Sequence, residues 1–259
     1  MAFDLNSDLG EGFGAWRMGD DAAMLDIVTS ANIACGFHAG DPSIMRRTCE
    51  LAVAKGVRIG AHVGYRDLVG FGRRALAVAP QELRDETLYQ LGSLEAFARA
   101  AGGRVRYVKP HGALYHAAAA DRELADAVVA AMREFGGPTP DHLDGTGLAL
   151  LGPSGTQLES AARDAGIAFV GEGFADRAYT PSGILAPRSQ PGAVLWPDDA
   201  VVQALSIARD GKAATVGGDT VAVRAASICV HGDSPAAVEM ARRIRSALDD
   251  SGVTVTAFT

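Results

Sequence analysis

Short runs rich in Val, Ile and Ala recur along this 259-residue chain, and a stretch with helical spacing follows most of them. The runs fall at residues 3–7, 28–34, 57–63, 104–108, 147–151, 167–170 and 226–230. Strands buried on both faces read as nearly continuous apolar runs, which is the mark of parallel strands joined by crossover helices. Asp41-Pro42 opens one such helix, because Asp caps free N–H groups and Pro suits the first helical position; Gly56 closes it. Pro80 opens a longer helix, with Leu83, Leu88, Leu91, Leu94 and Phe97 near helical spacing and Gly102-Gly103 at its end. Ser234-Pro235 opens the last, whose Val238, Ala241, Ile244 and Leu248 share a face.

A closed barrel and an open doubly wound sheet both fit repeated strand–helix units. The barrel is favoured because polar side chains stand at nearly every strand end, whereas an open sheet gathers its ligand site at one switch point. The expectation is therefore a single α/β domain over residues 1–259, a β/α barrel of about seven parallel strands. A barrel of about 250 residues is common as one unit, and 48% hydrophobic residues suffice for one sizeable core. Residues 174–191 are the least regular stretch, and a long irregular loop in a compact domain is often a lid or binding loop.

Net charge −7 argues against a nucleic-acid groove. Cys35, Cys49 and Cys229 are odd in number and far apart, which favours a reducing compartment and offers no cysteine zinc site. The segment from Met1 to Asp4 lacks a basic stretch leading into an apolar one, and no apolar run approaches a membrane span, so the cytoplasm is the expected location.

The chemistry concentrates at strand ends. Alternation puts Asp4, Asn6 and Asp8 on one side of the first strand, costly inside a barrel unless they are paired or functional; Glu11 follows. Asn32 and His38 end the second strand. His62 ends the third, with Arg73 and Arg74 beyond it as a pair able to clamp a carboxylate or phosphate, or else to sit solvated. Lys109 and His111, two apart on an extended segment, point the same way and could stabilise an oxyanion and move a proton. Glu172 and His231 follow the sixth and seventh strands. Asp41 is explained as a helix cap and Cys35 as a small buried residue. His116 and His142 read as surface residues, and Asp233 as part of the start of the last helix. The sequence contains no GxxxxGK[ST] phosphate loop and no kinase signature.

Seven segments together are specific where none is alone: DLNSDLGEGFG from Asp4, NIACGFHAGDP from Asn32, GAHVGYRD from Gly60, GFGRR from Gly70, VKPHGALYH from Val108, GEGFADRAY from Gly171 and CVHGD from Cys229. In this order they resemble the LamB/YcsF family, the A-type component of bacterial ATP-dependent 5-oxoprolinase. The resemblance implies a barrel related to glycoside hydrolase and sugar deacetylase barrels. It also implies ring opening of 5-oxo-L-proline (pyroglutamate) to L-glutamate, with two partner subunits of B and C type and consumption of ATP. Because this chain lacks a phosphate loop, the expected arrangement is that ATP is bound on the partners, which activate the lactam. Asp8, Glu11, His38, His62, Lys109 and His111 are then the catalytic candidates. Asn6, Asn32, Arg73, Arg74, Glu172 and His231 are the substrate-binding ones. Two alternatives stay open: a metal-dependent amide or sugar deacetylase-like hydrolase, and a non-catalytic subunit that captures 5-oxoproline. Asp with two or three His could take Zn²⁺ or Mn²⁺, but no HxxxH or HExxH spacing supports a metal, and no metal ligand is assigned.

Overall fold

The computed structural model describes residues 2–136, 147–232 and 236–259. In chain order the elements begin with β1 (Ala2–Leu9), α1 (Asp21–Met24), β2 (Ser30–Ala34), α2 (Pro42–Ala54), β3 (Arg58–Val63), α3 (Pro80–Ala100) and β4 (Val105–Pro110). They continue with α4 (Gly112–Ala120), α5 (Arg122–Gly136), β5 (Ala149–Gly152), α6 (Gln157–Asp164) and β6 (Phe169–Phe174). The last are α7 (Pro197–Asp210), β7 (Lys212–Ala214), β8 (Thr220–Ala222), β9 (Ser227–Cys229), α8 (Ala237–Asp250) and β10 (Thr254–Val255).

Strands β1 to β6 pair in sequence order, all parallel, and β9 joins β6 to β1. The sheet thus closes into a seven-stranded barrel, as expected. β10 adds a short parallel pairing at the start of β1, and β7 with β8 forms a separate antiparallel hairpin. Three strands run past the ends expected from the sequence. β1, β4 and β6 run on through Leu9, Pro110 and Phe174, because the polar residues there, which break the apolar pattern, still pair their backbones with neighbouring strands.

The two faces of the barrel carry opposite chemistry. Leu5, Leu9, Ile33, Ala61, Val63, Val108 and Ile228 belong to the apolar core, and each lies an odd number of residues from a polar interior position on its own strand. The core therefore fills the space between sheet and helices. α3 covers it with buried Leu83, Leu91, Leu94 and Ala98, and Phe97 packs at its margin. In α2, Asp41 accepts from the N–H groups of Ser43 and Ile44 at 2.8 and 3.0 Å, so its capping role is met. The start expected for the last helix at Ser234-Pro235 lies outside the described residues. Among the described residues, no helix is long and apolar enough to cross a membrane.

Inside the barrel the side chains are polar, where such a barrel usually holds branched apolar ones. Asp4 accepts hydrogen bonds from Ser30, Thr29 and Ser227 near the barrel floor. Burial raises its carboxyl pKa in spite of those hydroxyls. Above it Asn6 donates to Ser227 Oγ at 2.7 Å, Asn32 donates to Asn6 Oδ1 at 2.7 Å, and Tyr107 donates to Asn32 Oδ1 at 2.7 Å. Each buried polar group in this ladder answers another, which offsets the cost of removing it from water. Tyr107 reaches Asn32 only because Gly60 leaves room: a Cβ there would stand 2.1 Å from the ring. Gly60→Ala is therefore expected to lower the unfolding free energy by at least about 1–3 kcal/mol, the usual cost of overpacking. Urea denaturation measures it, and an unchanged midpoint would contradict the interior packing described.

Candidate active site

The ladder ends at the mouth of the barrel, where strands β1, β3, β4, β6 and β9 deliver Asp8, His62, Lys109, Glu172 and Cys229. Lys109 is buried, with Nζ 2.9 Å from Asp8 Oδ1, 2.8 Å from Glu172 Oε1 and 3.3 Å from Cys229 Sγ. Its ammonium also lies 5.2 Å from the centre of the Phe174 ring. Burial disfavours the charge, but Asp8 and the other anionic neighbours outweigh it and hold the ammonium well above the ordinary lysine range. Burial would likewise raise Asp8, yet His62 and Lys109 prevail and keep its carboxyl well below the usual range. Asn32 steadies the same oxygen at 2.8 Å. The mouth therefore holds a fixed ion pair, Asp8–Lys109, with a second carboxylate on the far side of the lysine.

Three imidazoles stand beside it. His62 lies with Nδ1 3.0 Å from the Lys109 carbonyl oxygen and Nε2 3.3 Å from Asp8 Oδ2. His111 lies with Nε2 2.8 Å from the Phe71 carbonyl oxygen and Nδ1 3.0 Å from His62 Nε2. His38 stacks on His111, ring centres 3.7 Å apart and planes 3° from parallel. Glu11 Oε1 is 3.6 Å from His38 Nε2 and 3.6 Å from His111 Nδ1. Burial, with the neighbouring imidazoles, pushes His38 and His111 well below the ordinary histidine range.

The loop that closes this side is built for the purpose. Phe71 has φ 54°, a conformation uncommon for a bulky residue, and it aims its carbonyl at His111. Gly72 follows at φ 65°, where a Cβ would stand 2.7 Å from His38 and 2.8 Å from His111. Arg74 pairs with the buried carboxylate of Asp67, which also accepts from the Gly70 N–H at 2.9 Å. Arg74 thus staples the loop and is absent from the pocket wall.

A cavity of about 230 Å³ opens over these groups. Its wall includes Asp8, His62, Lys109, His111, His231 and Arg73. Asn6, Asn32 and Glu172 lie outside that wall: the two asparagines bond to barrel partners and Glu172 to Lys109. From there Asn32 supports Asp8, and Asn6 and Glu172 face Lys109. Glu11 and His38 are likewise behind the wall, against the imidazoles.

The irregular stretch after β6 lines the cavity through Arg177, Leu185, Pro187 and Arg188. Asp176 grips His231 Nδ1 at 2.8 and 2.9 Å through its two oxygens. Arg177 hydrogen-bonds the carbonyls of Ala186 and Ala193. Burial and the nearby guanidinium of Arg188 lower Arg177 to about 10. Arg73, Arg177 and Arg188 therefore face one another's charge across the mouth, a field suited to an anionic ligand. Sequence reading missed Asp176, Arg177 and Arg188; the signal for the first two was the GEGFADRAY segment, whose chemistry lay past Glu172. It also placed His116 on the surface, and although exposed it borders the cavity. His142 and Asp233 lie outside the described residues. Cys35 is buried with a raised thiol pKa, caused by burial, in keeping with a packing role.

A closed β/α barrel with a polar interior and an acid–lysine–imidazole site at one mouth is the architecture of barrel enzymes that act on polar small molecules. Residues 3–259 match the sequence model of the LamB/YcsF family, and the chain belongs to that family. It is 69% identical over 258 residues to the A-type 5-oxoprolinase component of Nocardia farcinica, covering all of both chains. It is 55% identical to the protein of the same name from Streptomyces coelicolor, covering 98% of this chain and 99% of the other. The lactam utilization protein of Thermus thermophilus has the same fold, with TM-score 0.90, 46% identity and complete coverage of both chains. A putative cellobiose-phosphate cleavage protein of Enterococcus faecalis shares the barrel alone, at 11% identity and TM-score 0.52, over 99% of this chain and 97% of that one.

Proposed function

We propose that this chain is the ring-opening subunit of an ATP-dependent 5-oxoprolinase, acting on a lactam that B- and C-type partner subunits activate with ATP. The carrying observation is the buried Asp8–Lys109–Glu172 constellation beside His62 and His111, under a mouth rimmed by arginines. The names of the 46–69% identical relatives support the lactam as substrate and membership of a larger complex.

A five-membered lactam resists water, because nitrogen donates into the carbonyl. Phosphorylation of the lactam oxygen removes that protection. One water then adds to the ring carbon, the C–N bond breaks as nitrogen takes a proton, and a γ-acyl phosphate of glutamate remains. A second water releases phosphate. Asp8 orients the attacking water, Glu11 acts on the imidazoles from behind them, the imidazoles carry protons between water and the nitrogen, and Lys109 neutralises charge on the tetrahedral oxygen or departing phosphate. Arg73 and Arg188 hold the substrate's carboxylate or phosphate.

Arg73→Ala and Arg188→Ala are each expected to raise KM about 10–100-fold with little change in kcat, since a charge-assisted contact contributes about 1.5–3 kcal/mol and acts before and during reaction alike. Steady-state assays of the assembled enzyme measure this; an unchanged KM in both would remove the arginines from the substrate.

The proposal is tested by glutamate release from 5-oxoproline and ATP with each subunit omitted in turn. Release must require this chain. If the partners alone form glutamate at the full rate, the assignment is wrong.

A further inference from the structure

The histidines at the mouth leave an electrostatic problem that their ring nitrogens do not solve among themselves. His62 Nδ1 faces the Lys109 carbonyl, and His111 Nε2 faces the Phe71 carbonyl. A carbonyl oxygen only accepts, so both nitrogens carry hydrogen. In the neutral rings the other two nitrogens, His62 Nε2 and His111 Nδ1, are then both lone pairs. Yet they face each other at 3.0 Å. Asp8 Oδ2 stands 3.3 Å from the first and Glu11 Oε1 3.6 Å from the second. Four electron-rich atoms converge. His38 adds a fifth group: it is fully buried, neither ring nitrogen makes a hydrogen bond among the described residues, and its Nε2 is 3.6 Å from the same Glu11 oxygen.

A proton on His62 Nε2 would answer His111 Nδ1 and Asp8 Oδ2 and bring nothing to the Glu11 carboxylate beside them. A divalent cation can take His62, His111 and Glu11 at one point. In a tetrahedron with bonds of about 2.0–2.2 Å, the ligand atoms are about 3.3–3.6 Å apart. Among the proposed donors, His62 Nε2 and His111 Nδ1 are 3.0 Å apart and His111 Nδ1 and Glu11 Oε1 3.6 Å, and all three lie within 4.8 Å of one another. The His62 ring is turned to 89° from His111, so two lone pairs approach one point from different directions. Two backbone carbonyls already fix both ring orientations, as the outer partners of metal-bound histidines do. The stacked, parallel His38 ring cannot share an in-plane ion with His111.

We propose that His62 Nε2, His111 Nδ1 and the Glu11 carboxylate bind one divalent transition-metal ion of the zinc class, with Asp8 or water in the remaining position. Mixed imidazole and carboxylate donors suit Zn²⁺, Co²⁺ and Mn²⁺. The neighbouring group Asp8, Cys229 and His231 is a poorer candidate, because Lys109 Nζ already places a positive charge against both Asp8 and Cys229. His62, His111 and Asp8 also line the cavity, so an ion here meets substrate. The site stands on geometry; the reading of the pocket as the ring-opening centre is needed only for what the ion does, which is to supply Lewis acidity to water or to the lactam oxygen.

The test uses the full-length chain, dialysed against chelator and titrated calorimetrically with Zn²⁺, then with Co²⁺ followed by visible absorption. The expected result is about one equivalent of Zn²⁺ and the intense spectrum of four-coordinate cobalt. His62→Gln and His111→Gln should each weaken Zn²⁺ binding more than about 100-fold, beyond the 10–100-fold that outer partners cost. His116→Gln, at the cavity's edge, should bind as the parent does. Wild-type chain that takes up less than about 0.1 equivalent, or gives only a six-coordinate cobalt spectrum, overturns the proposal even if the variants fail to fold. So does unchanged affinity in both folded variants. Glutamate formation by an assembled enzyme that binds no metal would overturn the ion and leave the ring-opening reading intact. Metal bound here without glutamate formation would do the reverse.

Discussion

Lys109→Met is expected to lower the unfolding free energy by about 3–5 kcal/mol, the usual consequence of removing one partner from a buried ion pair. Methionine keeps the length of the side chain and fills most of its space, so the loss reports charge and not a cavity. Without the ammonium, Asp8 keeps His62 and Asn32, but Glu172 loses the cation 2.8 Å away in a site closed to water. A chain of this size then melts roughly 6–20 °C lower. Adding Glu172→Gln should recover part of the loss, because it removes the stranded charge. Differential scanning calorimetry on the two variants and the parent decides it. A Lys109→Met chain as stable as the parent would contradict the buried ion pair described.

Asp8→Asn is expected to reduce glutamate release by about 10²–10⁴-fold, the range that a positioned acid or base contributes. The amide preserves size and can still accept from Lys109 and Asn32. It removes the negative charge facing His62, and it cannot take a proton from water. Stability should change less than in Lys109→Met, since a hydrogen-bonding side chain remains at the same place. The contrast is useful: Lys109 is predicted to matter for folding and turnover together, Asp8 chiefly for turnover. Purified complexes carrying each variant, assayed for glutamate and checked by circular dichroism, separate the two.

Much of this architecture was readable because one physical rule governs it. Parallel strands buried on both faces must be apolar toward the helices, and that made all seven barrel strands visible. Asp8, His62 and Lys109 stood out because a charged or imidazole side chain within such a run is costly without a purpose. The same logic does not separate two roles for Asn6, Asn32 and Glu172. A polar residue inside a barrel can also serve another polar residue, and alternation alone does not tell a substrate contact from a strut. Arg74 is a related case: a pair of adjacent arginines points to two different places, and only the fold shows Asp67 beneath one of them. Asp176, Arg177 and Arg188 were missed because their loop has no period. Its position over the mouth comes from contacts distant in sequence, such as Gln203 of α7 donating to the carbonyls of Phe174 and Arg177 at 2.7 and 2.6 Å. The orientation of the imidazoles was beyond sequence altogether, since it depends on the Lys109 and Phe71 carbonyls.

The most direct measurement is the ratio of ADP formed to glutamate formed by the assembled enzyme when this chain carries Asp8→Asn. If partner subunits activate the lactam and this barrel opens it, ADP formation persists while glutamate collapses, and the ratio rises by at least about 100-fold. A ratio that stays at the parent value, with both products formed as before or both lost in step, would contradict that division of labour.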